Sequence, residues 1–216
     1  MSVAPDDGRI RCAWIDGSRL APADFILYRD YHDTEWGRPM RGSAALFERI
    51  SLEAFQSGLS WLIILRKREN FRRAFHRFDI ARIARYTDRD IARLMADTGI
   101  VRNRAKIEAT IVNARAAADL DVDLGELLWS FAPPPRPRPA DLSEVPAVSP
   151  ESTAMAKELK RRGFRFVGPT TAYALMQASG MVDDHTADCW VPTIDGAPYG
   201  RSWPGLHTPS PADKEQ

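Results

Sequence analysis

The sequence has only two cysteines among its 216 residues, too few for a small secreted scaffold stabilised by disulfides. Its apolar runs are short, and residues 61–65 form one of the longest, whereas a membrane-spanning helix needs roughly 20 apolar residues in succession. Residues 1–12 include acidic side chains and no apolar centre, unlike a secretory signal peptide. We therefore expect a soluble, cytoplasmic protein.

Lysine is scarce, and the charge excess that marks many nucleic-acid-binding proteins is absent. The 30 basic residues nearly balance the 29 acidic ones, which gives a formal net charge of +1. Lysines occur only at positions 67, 106, 157, 160 and 214. The resulting excess of arginine suits contacts with phosphate, but a coding bias toward arginine would explain it equally well.

Apolar residues recur at spacings of three and four along most of the chain, while strand signals are nearly absent. Helices are predicted over residues 46–55, through the 60s and 70s, from Thr87 to Gly99, around 107–114, over 124–131, and from Ser149 to Gly163. The proline-rich residues 133–139 predict an extended surface connection more readily than a ligand for a proline-recognising domain. The predicted fold class is all-α.

A short turn at residues 163–167 connects two predicted helices. A glycine stands at each end, and Pro169 begins the second helix. Proline at this position leaves the following N–H groups free at the positive end of the helix. With Arg161, Arg162 and Arg165 nearby, the turn could bind a phosphate.

The same residues also fit an ordinary corner between helices. Phe164 and Phe166 would then belong to the core. Because apolar residues alternate here, residues 164–167 could also form a short strand. The spacing alone leaves these alternatives open.

Cysteine and histidine occur near both ends of the chain in a pattern that suits a metal. His185 and Cys189 are four residues apart, so on a helical turn they would share one face, while Cys12 and His32 would have to return from the N-terminal segment. Two thiolates and two imidazoles form a closed ligand set for structural Zn²⁺. The alternatives are two free buried thiols or one disulfide, which a reducing cytosol disfavours.

Aromatic residues that carry a polar group are concentrated in the first third of the chain. They are Trp14, Tyr28, Tyr31, Trp36 and Trp61. Their flat faces and polar edges suit the binding of a planar heterocycle. Glu53 lies among apolar residues of its predicted helix, and a carboxylate there needs either a partner, such as Arg49, or a function.

Several segments together resemble the DNA-3-methyladenine glycosylase I family. They are RCAW at 11–14, YRDYHDTEWG at 28–37, LFERISLEAFQSGLSW at 46–61, LRKRENFRRAFHRFD at 65–79, TGIVRNRAKI at 98–107, WSF at 129–131 and KRRGFRFVGPTTAYALMQASGMVDDHTADC at 160–189. The resemblance implies an all-α fold of the helix-hairpin-helix DNA glycosylase superfamily. Residues 10–190 would form the glycosylase domain with its zinc-stabilised lobe, between an extension over 1–9 and an irregular tail over 191–216.

The resemblance further implies an enzyme that flips 3-methyladenine out of duplex alkylated DNA and hydrolyses its N-glycosidic bond. Glu53 is the catalytic candidate, and it would hydrogen-bond the base together with Tyr28. The pocket walls would be Trp14, Tyr31 and Trp61, with Trp36 nearby. One structural Zn²⁺ per chain would be bound by Cys12, His32, His185 and Cys189.

DNA contact is implied at two places in a monomeric protein. Candidates in the turn are Gly163, Phe164, Arg165 and Gly168, and Leu59 matches the residue that would fill the gap left by the flipped nucleotide. No lysine lies between Lys160 and Lys214, which argues against a Schiff-base lyase step. The alternative function is a non-catalytic zinc-containing protein that binds DNA damage.

Two consecutive carboxylates follow the turn, where other helix-hairpin-helix glycosylases use an aspartate to assist the water. The DNA-3-methyladenine glycosylase I family is described as lacking that aspartate in a working position. Asp184, directly before His185, is expected to orient the zinc ligands. Asp183 is a weak candidate for assisting the water.

Overall fold

The computed structural model describes residues 7–15 and 20–193, and this part of the chain is helical without any strand. Its α-helices are α1 (Pro22–Thr34), α2 (Ser43–Gln56), α3 (Trp61–Ala74), α4 (Ile80–Ala84), α5 (Asp88–Ala96), α6 (Arg104–Ala118), α7 (Leu124–Trp129), α8 (Pro150–Arg161) and α9 (Pro169–Ala178), with 3₁₀ turns at His76–Phe78 and Leu142–Glu144. The all-α prediction is confirmed. None of the helices described is long and apolar enough to cross a membrane. Most of the predicted irregular tail lies outside the described residues.

Side-chain caps fix the starts of two helices that the sequence predicts. Thr87 and Asp90 form a capping box at the start of α5, and Ser149 forms one with Ser152 at the start of α8. Each box satisfies backbone N–H groups that the first helical turn leaves without partners. Pro169 stands in the first turn of α9, where its missing N–H is tolerated.

Helix α2 runs through the centre of the molecule and contacts α3, α6, α7 and α9. The apolar face predicted for it is confirmed, because Phe47, Ile50 and Phe55 are completely buried. Since α2 is enclosed on several sides, its polar residues Arg49 and Glu53 are buried as well. The core thus encloses two ionisable side chains of α2, one basic and one acidic.

The helix predicted through the 60s and 70s ends earlier than its apolar pattern suggests. After Ala74 the chain makes a left-handed turn, in which His76, Arg77 and Phe78 have φ values of 50°, 55° and 57°. The turn lets Phe78 stack on Phe75 at 5.5 Å within the core. Burial of the two rings therefore stabilises a backbone conformation that non-glycine residues rarely adopt.

The two ends of the described chain meet. The Trp190 amide donates to the carbonyl of Ile10 at 2.9 Å. Residues 133–139 are extended and irregular as predicted, and they also pack against this end of the fold. Pro139 accepts a hydrogen bond from the Ala187 amide at 2.9 Å, so the proline-rich segment is more than a spacer.

Candidate active site

A cavity of about 320 Å³ opens between α1, α2, α9 and the 3₁₀ turn at Leu142–Glu144. This volume is within the range of small-molecule pockets. The cavity is lined by Trp14, Tyr28, Tyr31, Trp36, Glu53, Gln56, Trp61, Leu142, Val145, Ala174, Gln177 and Asp184. The structure therefore brings together all five aromatic candidates and Glu53.

The aromatic rings brace one another around the cavity. Trp14 stands edge-on to Tyr28 and Trp36, with ring centroids 5.1 Å and 5.0 Å away. Tyr31 lies 5.4 Å from Trp61. Edge-to-face and tilted aromatic pairs at these distances are favourable, so these contacts stabilise the arrangement of the rings.

Glu53 lines the cavity with 6% of its surface exposed. Within residues 7–15 and 20–193 its carboxylate makes no hydrogen bond and no ion pair, so a simple pair with Arg49 is not what the structure shows. Burial raises the pKa of Glu53 to about 7, and the charge of Arg49 opposes this rise. A carboxylate with a strongly shifted pKa in a cleft is typical of a functional site.

Asp184 also lines the cavity, held by three donors. Its carboxylate accepts hydrogen bonds from the Tyr173 hydroxyl at 2.7 Å, from Gln177 Nε2 at 2.9 Å and from Arg136 Nη2 at 2.6 Å. None of these three donors belongs to a cysteine or a histidine. The hydrogen bonds of the Asp184 carboxylate therefore give no support to the expectation that it orients the zinc ligands.

Asp183 is not among the residues that line the cavity. Its carboxylate accepts hydrogen bonds from Arg138 Nε at 2.9 Å and from the His185 amide at 3.3 Å. These bonds tie the loop after α9 to the proline-rich segment. The geometry gives no support to a catalytic role for Asp183.

The four predicted ligands meet in one buried cluster, formed by Cys12, His32, His185 and Cys189, with all ligand atoms within 4.8 Å of one another. Cys189 Sγ lies 3.6 Å from His32 Nε2 and 3.5 Å from His185 Nδ1. A tetrahedral ion with bonds of about 2.3 Å to sulfur and about 2.05 Å to nitrogen separates such ligands by about 3.6 Å. The cluster could therefore hold a metal ion. Both cysteines are free thiols, so the disulfide alternative is wrong.

Each histidine of the cluster is oriented through its other ring nitrogen. His32 Nδ1 donates to Asp33 Oδ1 at 2.8 Å, and Arg11 in turn holds Asp33 at 2.8 Å. His185 Nε2 donates to the carbonyl of Trp36 at 3.2 Å. Such bonds fix the tautomer that faces a metal, and Asp33 has the role expected of Asp184.

The turn at 163–167 is a helical corner rather than a strand. Gly163 has φ of +93°, and the Asn113 side chain binds the backbone of Arg165 through both its oxygen and its nitrogen, at 2.7 Å and 3.0 Å. Phe164 is buried at 4% exposure, whereas Phe166 is 48% exposed. The turn thus presents Phe166, and Phe164 anchors it to the core instead of reaching the surface.

The basic residues near this turn differ in their pairing. Arg161 and Arg162 both bind Glu158, at 2.6 Å. Arg165 is exposed and makes no ion pair within the described part of the chain. Gly168, also exposed, is the N-cap of α9. Of these three arginines, Arg165 is therefore the one whose guanidinium is best placed to bind an anion.

Leu59 lies in an exposed loop between α2 and α3, with 38% of its surface accessible. Gly58 before it has φ of +80°, a conformation that favours glycine. Buried Lys106 fixes the start of this loop, because its Nζ donates to the carbonyls of Phe55 and Ser57 at 2.9 Å and 2.6 Å. Burial also lowers the pKa of Lys106.

Sequence reasoning missed part of the cavity lining. Gln56 follows Glu53 by three residues, and this helical spacing could have revealed it. Gln177 interrupts an apolar stretch of α9, which is a weaker signal. Leu142 and Val145 come from the segment after residues 133–139, and no local pattern predicts that this segment returns over the cavity.

Comparisons with known proteins agree with this geometry. A family model described as methyladenine glycosylase matches residues 23–192. The DNA-3-methyladenine glycosylase of Haemophilus influenzae is 44% identical over 184 residues, covering 83% of this chain and 96% of that protein.

Solved structures are similar over nearly their whole length. A crystal structure of a 3-methyladenine DNA glycosylase I aligns with a TM-score of 0.78 at 45% identity, covering 84% of this chain and 98% of that one. A structure concerned with 3-methyladenine recognition by the Staphylococcus aureus enzyme aligns with a TM-score of 0.77 at 34% identity, covering 85% and 97%.

Proposed function

The chain belongs to the methyladenine glycosylase family, and from this premise we propose that its aromatic cavity receives a 3-methyladenine flipped out of duplex DNA. Its function is excision repair of 3-methyladenine by hydrolysis of the N-glycosidic bond. A base stacked inside a duplex cannot enter an enclosed cavity, so flipping precedes cleavage. Alkylated DNA is the substrate, and the cytoplasm, where bacterial relatives keep their DNA, is the proposed location.

The observation that carries the proposed site is the unbonded carboxylate of Glu53 among aromatic rings. Methylation at N3 gives the adenine a positive charge. Aromatic faces attract such a cation, and the carboxylate complements it. An undamaged adenine is neutral and gains neither interaction, so the cavity selects the damaged base.

Methylation also weakens the bond to the sugar, because the base departs as a neutral molecule. The cavity therefore needs little acid catalysis. Glu53 and Tyr28 hydrogen-bond the base, which stacks on Trp14, Tyr31 and Trp61. As the sugar becomes oxocarbenium-like, the charge of Glu53 stabilises it, and water is the final nucleophile. Among residues 7–15 and 20–193, those that line the cavity include no lysine, which supports a monofunctional enzyme without a lyase step.

DNA would be held by the turn at residues 163–168, where exposed Arg165 and the amides at the start of α9 face a phosphate. Leu59 would enter the gap that the flipped nucleotide leaves in the stack. Both features come from a single chain, so the proposed enzyme is a monomer.

For the metal cluster we propose Zn²⁺ in a structural role. The donor set of two thiols and two imidazoles fits zinc, as do the sulfur–nitrogen separations of 3.5 Å and 3.6 Å. Four protein ligands close the coordination sphere, so the ion would join the chain's two ends without taking part in hydrolysis. Zinc well below one per chain in freshly purified protein would contradict this proposal.

The test is the release of free 3-methyladenine from methylated duplex DNA by the wild type and by Glu53→Gln. We expect release by the wild type and a large loss in the variant. Binding of the methylated DNA without any release would favour a damage-binding protein instead. Undiminished release by Glu53→Gln would remove Glu53 from the catalytic role.

A further inference from the structure

Arg49 is enclosed directly behind the cavity wall, one helical turn before Glu53 on α2. Only 4% of its surface is exposed. An arginine this deeply buried is rare unless its charge has a partner. The spacing of four residues places Arg49 and Glu53 on the same helix face.

The contacts of Arg49 are made mainly to the cavity wall. Its Nη1 donates to the Tyr31 hydroxyl at 3.0 Å, and its guanidinium lies 5.3 Å from the Tyr31 ring and 5.4 Å from the Trp61 ring. A Glu35 oxygen is 3.8 Å from Nη2, but Arg68 already binds both oxygens of Glu35 at 2.5 Å and 2.8 Å. Because Arg68 already neutralises Glu35, the positive charge of Arg49 is not balanced by Glu35.

We propose that Arg49 is a positioning residue for the reaction: its guanidinium fixes the Tyr31 hydroxyl and supplies the positive charge that holds Glu53 as a carboxylate. This inference rests on the proposed role of Glu53. Because the Tyr31 oxygen accepts from Arg49, the hydroxyl proton is left for donation into the cavity. Burial raises the pKa of Glu53 to about 7 against the opposing charge of Arg49, so removal of that charge raises the pKa further.

The remaining ionisable groups around the cavity do not supply this charge. They are Tyr28 and Tyr31 on α1, Asp184 after α9, Lys106 on α6, whose Nζ contacts the end of α2, and, behind Arg49, Glu35 with Arg68. The tyrosines are neutral near pH 7, since burial raises their pKa values. Among all these groups, only Arg49 lowers the pKa of Glu53.

The experiment is the pH dependence of kcat/KM for 3-methyladenine release, which reports groups of the free enzyme. For Arg49→Met the acidic midpoint moves to higher pH, and release below the midpoint falls about tenfold for each pH unit of that movement. Arg49→Lys keeps the charge and restores a midpoint near the wild-type value. Arg66→Met, which removes an exposed arginine paired with Asp24, leaves the midpoint unchanged.

A purely structural role for Arg49 would lower release equally at every pH. An unmoved midpoint in Arg49→Met would therefore overturn the inference. If that variant does not fold, Arg49→Gln provides a second uncharged side chain that can still donate to Tyr31. An acidic midpoint of kcat/KM that stays at the wild-type value in Arg49→Gln would then overturn the inference. A wild type that neither releases the base nor binds free 3-methyladenine, followed by tryptophan fluorescence, contradicts the proposed function instead.

Discussion

His185 donates a hydrogen bond from Nε2 to the carbonyl oxygen of Trp36 at 3.2 Å, and its ring also lies 4.7 Å from the Trp36 indole. Trp14 stands edge-on to His32 in the same way, at 5.1 Å. Trp36 and Trp14, which line the cavity, therefore pack against His185 and His32 of the Cys/His cluster. Loss of the proposed metal ion is expected to loosen the cavity as well as the contact between the two ends of the described chain.

Gly37 provides a way to disturb this junction. It has φ of +74°, and a Cβ added to it would lie 3.0 Å from His185 Nε2. We expect Gly37→Ala to displace His185 and weaken metal binding about 10- to 100-fold, measured by competition with a chelator. Gly8→Ala is the matched control, because Gly8 also has positive φ but a Cβ there meets no atom within 4 Å. Equal metal affinity in both variants would contradict the prediction.

Glu53 is expected to lower stability at neutral and higher pH. Its pKa is raised from 4.5 to about 7 on folding, so the folded state binds the proton more tightly than the unfolded state. The resulting stabilisation is present below about pH 4.5 and is lost as the pH rises to about 7. Glu53→Gln should therefore be more stable than the wild type at pH 8, by up to about 3 kcal/mol, with a smaller difference at pH 5.

Urea unfolding of both proteins at the two pH values measures this difference. Glu108→Gln, which changes an exposed residue paired with Arg104, is the control and should show little dependence on pH. A difference between Glu53→Gln and the wild type that is the same at pH 5 and pH 8 would refute the assigned pKa.

Much of the fold could be predicted because its signals are local. Thr87 and Ser149 mark helix starts by capping chemistry within four residues, and the apolar period of α2 identifies its buried face. Glu53 was detectable for the same reason, since a charge on that face breaks a local pattern. The four candidate metal ligands were detectable from the chemistry of Cys and His, although predicting that they come together needed the resemblance to a family.

What escaped prediction depends on contacts between distant residues. Asp184 precedes a ligand in sequence, yet its hydrogen bonds go to Arg136 and Tyr173, and Asp33 orients His32 instead. The left-handed turn after α3 was also missed, because a period of apolar residues continues through it. The pairing of a carboxylate with a remote arginine produces no periodic pattern in the sequence. A turn stabilised by core packing produces none either.

Arg165 is expected to contact a DNA phosphate, because it is exposed and has no ion pair within the described residues. Arg165→Met should weaken binding to duplex DNA and reduce the slope of log affinity against log salt by about 1. Arg161→Met is the matched control, since Glu158 already neutralises Arg161 at 2.6 Å. Equal salt slopes for the two variants, measured by fluorescence anisotropy, would argue against this contact.

Lys106 is expected to matter for excision from DNA more than for binding of the free base. Lys106→Met removes the two hydrogen bonds that hold the start of the Leu59 loop, and we expect about tenfold slower release from duplex DNA with little change in affinity for free 3-methyladenine. Lys67→Met is matched, because Lys67 also donates to two carbonyl oxygens, those of Thr98 and Gly99. Both variants should lose about 1–3 kcal/mol of stability. Slower release in both, or weaker binding of the free base in Lys106→Met, would show that the lysine supports the fold rather than the loop.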